Sequence, residues 1–343
     1  MARNYRYRGR RSPGKGILAA ILSLIIVASV GFIFLQEQIL FFDETGTPYF
    51  RLPGQTREEP ELPPEEVDLV IEPVKQVVPE RREIRGFNAP VPLDRETWAL
   101  IYREALQLLG EECGAVAVTL KDSEGTVHFD SAAALPGTVR FLTEETDVAL
   151  DAVLSTSLHT VARISCFHDP KAANREPETM GLMNTGGFIF YDANNSQWLD
   201  PAKSAAREYL CALAKEAAEM GFDEILLTDV TYPTEGKLDK IAYGEIDRAE
   251  VLDDFLVEMR AALEPYGVML SLEVPEGVIL QGENADAGLH MGKVSARVEC
   301  IYAVTTPEQA GLLHLTVEQA GDADFIPELE TVSDSVTGSC LIF

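Results

Sequence analysis

A chain of 343 residues with 56 acidic and 28 basic side chains carries a formal charge of −28, which excludes nucleic acid as a partner because phosphate binding needs a basic surface. Its 46% hydrophobic and 24% charged residues are ordinary for a globular protein of one or two domains. The five cysteines (Cys113, Cys166, Cys211, Cys300, Cys340) are scattered, odd in number and without Cys-x-x-Cys spacing. That pattern excludes a disulfide framework and suits small buried hydrophobes.

Residues 1–15 hold Arg3, Arg6, Arg8, Arg10, Arg11 and Lys15 and no acid, and Gly16 to Leu35 then run without a charge. This run of about twenty apolar residues is the length needed to cross roughly 30 Å of hydrocarbon. The basic flank belongs in the cytoplasm, so the sequence predicts a single-pass anchor over 16–35 with everything after it extracytoplasmic. A cleaved signal peptide competes, because Ala28-Ser29 offers small residues, but apolar character continues through Phe32–Leu35 and resumes at Ile39–Phe42. Residues 43–92 hold nine of the 19 prolines, and residues 58–72 hold seven acids. Residues 36–82 therefore read as an extended, self-repelling, disordered stalk.

The folded part begins near Glu83. The spacing of apolar residues predicts a strand at 84–88, a helix over 95–109 and a strand at 113–120, followed by turn residues 121–125 and a short arm at 126–129. A helix over 144–157 and a strand at 159–167 come next, then a long loop, 171–199, rich in Gly, Asn and Met. Asp200 and Pro201 read as N-cap and first residue of a helix to 220. A buried strand follows at 224–230, then a helix over 247–264, a strand at 268–274, a short helix at 285–296 and a strand at 298–304. The tail reads as a helix near 307–311, a strand near 312–318 and a last strand at 340–343. Eight strands alternating with helices predict a (β/α)8 TIM-type barrel over 83–343. A doubly wound sheet is the alternative, but no Gly-x-Gly-x-x-Gly or Walker loop supplies a nucleotide cofactor.

Four segments carry a resemblance: Val118-Thr119-Leu120-Lys121-Asp122, Ala162 through Pro170, Trp198-Leu199-Asp200-Pro201, and Phe222 through Pro233. In this order and spacing the chain resembles a bacterial family of glycosyl hydrolase domains, over about residues 84–304. The resemblance implies a (β/α)8 barrel on an exported, membrane-anchored protein that acts on glycan. The family's second strand ends Ile-Asp-Val-Lys-Asp and its fourth Phe-Asp-Tyr-Val-Arg-Phe-Pro. Here the two strand-end aspartates fall on Thr119 and Thr228, and the arginine on Thr231.

Shifted acids remain. Asp229 is the candidate catalytic acid, with Glu273 or Glu299 as its partner, because glycoside hydrolysis needs two carboxyls flanking the bond. A one-residue shift along a strand turns a side chain to the other face, so Asp229 can replace Thr228 only where the strand has given way to loop. Asp122, His168, Asp169, Trp198 and Tyr232 are candidate substrate-binding residues, with Tyr191 and Phe190 as further faces for sugar rings. Asp169 also suits a helix cap before Pro170. The five histidines are isolated and no His-Glu-x-x-His occurs, so no metal or other cofactor is implied. Two functions are expected: hydrolysis of a cell-wall or cell-surface glycan, or a catalytically inactive barrel binding glycan or a protein at the envelope.

Overall fold

Parallel strands whose outer faces are apolar cannot stay open to water, and here they close on themselves. The computed structural model describes residues 40–42, 48–50, 85–89, 93–140, 144–333, 336 and 338–342. The eight strands β1 (Arg85–Ala89), β2 (Ala115–Lys121), β3 (His159–Ser165), β4 (Glu224–Thr228), β5 (Met269–Glu273), β6 (Cys300–Val304), β7 (Asp324–Leu329) and β8 (Cys340–Ile342) form one closed barrel. Every neighbouring pair is parallel, and β8 closes on β1 through Cys340 beside Arg85 and Ile342 beside Phe87. The (β/α)8 expectation holds.

The ladder register fixes which side chains face inward. Ala115, Ala117, Val161, Leu226, Cys300, Tyr302, Ile326 and Leu341 form the buried cluster inside the barrel, each every second residue along its strand. The alternate positions, such as Val116, Val118, Ala162, Ile164, Ile225 and Leu227, join the outer core beneath the helices. Those helices are α1 (Arg95–Leu109), α2 (Glu144–Leu154), α3 (Ser204–Met220), α4 (Arg248–Leu263) and α5 (Pro307–Ala320). Asp94 caps α1 by accepting from Thr97 N at 2.8 Å, and Asp247 caps α4.

The tail differs from the sequence expectation. Residues 312–318 lie inside α5, and the seventh strand is 324–329. Leu313, Leu315 and Val317 imitate a strand's alternation, yet Leu315 is exposed, as is Leu312, while Ala310, Leu313 and Val317 bury at helical spacing. The helix expected at 285–296 is instead a small antiparallel pair, Glu283–Asn284 with Leu289–His290, and one helical turn, Met291–Val294. Helix α3 starts at Ser204; Asp200 only turns the chain, accepting from Ala202 N at 3.0 Å.

The chain divides into two compact units, Met1–Val78 and Pro79–Phe343. In the first unit, within the expected stalk, Leu40–Phe42 pairs antiparallel with Pro48–Phe50. The anchor expected over 16–35 lies outside the described residues. Among the described residues no helix is long and apolar enough to cross a membrane.

Candidate active site

The C-terminal mouth of the barrel is built from the last inward positions of β3, β5 and β7. Val161 lies in the inner cluster, so Arg163 and Ser165 follow on the same face of β3; likewise Glu273 follows Ser271 on β5, and Glu328 follows Ile326 on β7. Arg163 donates through Nη1 to Glu328 Oε1 at 2.5 Å and through Nη2 to Glu273 Oε2. Glu328 is fully buried, whereas the Glu273 side chain keeps 27% of its exposure. One guanidinium thus serves two carboxyls, and the balance is negative.

The consequence is a displaced titration. Burial pushes the Glu273 carboxyl up to about 7; Arg163 opposes this, while the charges of Glu328 and Asp229 add to it. Burial also raises Glu328 against the pull of Arg163. Because the two acids share Arg163, their protons leave in linked steps. A carboxyl raised toward neutrality that keeps part of its exposure is suited to proton donation.

Asp229 joins them by an irregularity. Strand β4 ends at Thr228, and Asp229 takes φ +52°, the left-handed region that Asp tolerates better than most residues. The twist brings its side chain back to the inward face. Ser165 Oγ, which points inward, donates to Asp229 Oδ2 at 2.6 Å, and Thr228 Oγ1 lies 3.4 Å from the same oxygen. The condition set by the one-residue shift is met: Asp229 reaches inward-facing Ser165 from what would be an outward position, and its charge bears on Glu273.

Behind the mouth sits a buried ion pair. The β2–β3 register slips between Thr119 and Lys121, and the bulge turns Lys121 toward the layer between strands and helices. Its ammonium donates to Ser165 O at 2.7 Å and faces Asp169 Oδ2 at 3.0 Å, with both side chains wholly buried. Asp169 Oδ1 accepts from Ala172 N at 2.8 Å and caps the short helix Pro170–Arg175. Gly125, at φ +73°, makes room for it, since a Cβ there would sit 2.0 Å from Asp169 Oδ1. Gly125→Ala should therefore lower stability by about 1–3 kcal/mol, read as a shift in the urea midpoint at unchanged slope.

Several expected site residues lie elsewhere. Asp169 is sealed from substrate by burial, and its work is the cap and the ion pair. Tyr232 is also fully buried, edge-on to Tyr243 at 5.5 Å. Trp198, only 9% exposed, stacks on His168 at 4.5 Å and donates through Nε1 to Asp192 Oδ2 at 2.9 Å, while His168 Nε2 pairs with Ser196 Oγ at 2.7 Å. This pair braces the loop after β3, with the Trp198 ring buried. Asp122 accepts from Thr126 N and pairs with His128; these bonds hold its carboxyl below the usual range although burial pulls it up. Glu299 precedes β6 and therefore sits at the opposite end of the barrel, accepting from Arg260 at 2.7 and 2.9 Å and from Leu270 N. It cannot partner Asp229. Arg163 and Glu328 went unrecognised in the sequence. A lone arginine within the alternating run Val161–Ser165 is the signal for the first; the second was hidden by the misplaced seventh strand.

The model of a family described as "Putative glycosyl hydrolase domain" matches residues 100–319. Among solved structures, a hypothetical protein from Ruminiclostridium thermocellum is 26% identical, with 55% of this chain and 96% of that chain covered at a TM-score of 0.46. The PgaB (BpsB) glycoside hydrolase domain from Bordetella bronchiseptica is 14% identical, covering 73% of this chain and 84% of that one, with a TM-score of 0.53. A GH20 exo β-N-acetylglucosaminidase from Vibrio harveyi is 16% identical over 85% of this chain and 45% of its own, with a TM-score of 0.50. These last two share the fold. No curated protein matches the chain.

Proposed function

The chain belongs to this glycosyl hydrolase domain family, and from that premise we propose that the barrel cleaves glycosidic bonds, with Glu273 as proton donor and Asp229 as the partner carboxyl. The observation that carries this reading is the pairing at the mouth. A carboxyl pushed up to about 7 sits within the field of a second carboxylate held by a serine hydroxyl. Two acids whose surroundings differ in this way divide into acid and base. Glu273 would protonate the leaving oxygen, and Asp229 would stabilise or attack the anomeric carbon or activate water. Arg163 keeps Glu273 oriented, and Glu328, buried and shared on the same arginine, holds Arg163.

The setting is part of the proposal. The uncharged run 16–35 behind six basic residues supports anchoring in a membrane with the barrel extracytoplasmic, and so a cell-wall or cell-surface glycan as target. The test is incubation of residues 79–343 with purified cell-wall glycan, scoring reducing ends and co-sedimentation for wild type and Asp229→Asn. Release of reducing ends that the variant loses by at least about a hundredfold is expected. Equal release by both would remove Asp229 from the chemistry.

A second reading rests on Thr119 and Thr228, which by register point inward at the strand ends where the family's aspartates are expected. A barrel that kept the cleft and lost the reaction would sediment with glycan and release nothing, with Asp229→Asn unchanged.

A further inference from the structure

Of the aromatic residues expected to stack on sugar, Trp198, Phe190 and Tyr232 are buried and Tyr191 is exposed, but the most exposed ring is another one. Phe188 is 73% exposed, the highest value for a large hydrophobic side chain among the described residues, and Tyr191 follows three residues on at 45%. Both belong to the loop that leaves β3 at the mouth of the barrel. That loop is ordered by backbone pairing. Leu199 N donates to Phe167 O, Leu182 N to Trp198 O and Phe190 N to Leu182 O, each at 2.8 Å.

Phe188 sits at the tip of this pairing. Asn184 N donates to Phe188 O at 2.7 Å, and Asn184 Oδ1 accepts from Gly186 N at 2.8 Å and Phe188 N at 3.2 Å. Gly187 supplies the left-handed turn residue at φ +79°, and a Cβ on Gly186 would stand 3.5 Å from the Phe188 ring. On the other edge, residues 240–242 of the loop after β4 add two more backbone bonds, Thr185 N to Lys240 O and Ala242 N to Met183 O. A turn so constrained presents its ring at little further entropic cost.

We propose that Phe188 is the platform of an outlying subsite that takes one pyranose ring of a glycan chain, so that the substrate is a polymer spanning from the acids to the loop tip. This deepens the hydrolase reading and rests on it. From Gly181, bridged to Leu199 beside the β3 exit, to Asn184 is three residues, or about 10 Å along an extended chain. Along that arm the ring is carried away from the β3 exit by more than the length of one sugar unit. The surroundings fit a sugar: the exposed neighbours Thr185, Gly186 and Gly187 offer hydroxyl and peptide groups around a single apolar face, as a pyranose does in mirror image. A protein or lipid contact would call for a contiguous apolar patch instead.

The test uses the full chain, wild type, Phe188→Ala and Phe188→Trp, with peptidoglycan and chitin as insoluble probes and chito-oligosaccharides of two and six sugars as soluble ones. Retention of wild type on one probe, weakened on the order of tenfold by Ala and kept by Trp, is expected. The two-sugar oligomer should not tell the variants apart, whereas the six-sugar oligomer should. Equal retention of wild type and Phe188→Ala on a bound probe overturns the subsite and leaves the hydrolase reading standing. Retention of wild type on none overturns the subsite, and the hydrolase reading falls with it where no reducing ends are released either. Far-ultraviolet circular dichroism should coincide for all three proteins, because the ring is exposed.

Discussion

Glu273→Gln, which removes the proposed proton donor, should cut glycan cleavage sharply and at the same time make the protein more stable above neutral pH. Loss of a general acid lowers the rate by about 10²–10⁴-fold. The stability change follows from linkage. In the folded chain the carboxyl is raised to about 7 from an ordinary 4.5, so folding favours its protonated form. That contribution is complete below about pH 4.5 and is lost as pH climbs through about 7, amounting to at most roughly 3 kcal/mol. Gln never ionises and still accepts from Arg163, whose other bond to Glu328 remains. Urea titrations at pH 5 and pH 8 measure the effect. Wild type should lose more stability than the variant between the two, and parallel losses would mean that Glu273 ionises freely in the fold. For wild-type cleavage the same titration predicts activity falling as pH rises above about 7.

The second large effect is expected from Lys121→Met. Removing one partner of a buried ion pair leaves the other charged and without compensation, a loss of about 3–5 kcal/mol. Asp169 would keep its bond from Ala172 N but lose the ammonium that faces it. Adding Asp169→Asn to Lys121→Met removes the stranded charge while an amide oxygen can still cap the helix, so the double variant should recover a large part of the loss. Equilibrium denaturation of the single and double variants completes the cycle. A single-variant loss below about 1 kcal/mol would show that Lys121 contributes little beyond its packing. The mouth should respond too, because Lys121 holds the Ser165 carbonyl and the Ser165 hydroxyl holds Asp229.

Most of the barrel was legible because buried parallel strands read as short apolar runs between amphipathic helices, as at Ala115–Lys121, Glu224–Thr228 and Met269–Glu273. It failed where a helix's apolar residues happened to alternate, at 312–318, and that error hid Glu328. For the site, Asp229 and Glu273 were legible as acids at strand ends. Glu299 was not separable from them, because sequence shows that an acid lies near a strand but not at which end of the barrel it emerges. Asp169, Trp198 and Tyr232 have residue types that suit a sugar site, and only the fold shows that they are buried. The bulge at Thr119–Lys121 has no local signature strong enough to predict that a lysine would turn away from the mouth.

The left-handed residue at the end of β4 bears on how relatives of this chain are compared. A strand assigns sides by parity, and parity here gives the inward side to Thr228. A single positive φ resets the count, so that position in space and column in an alignment part by one. Scored by column, Thr228 stands where the resemblance leads one to expect an acid; in the fold, Asp229 one residue on reaches the inward-facing Ser165 hydroxyl. In this family a missing strand-end aspartate followed directly by an aspartate calls for a backbone torsion before it is counted as a loss.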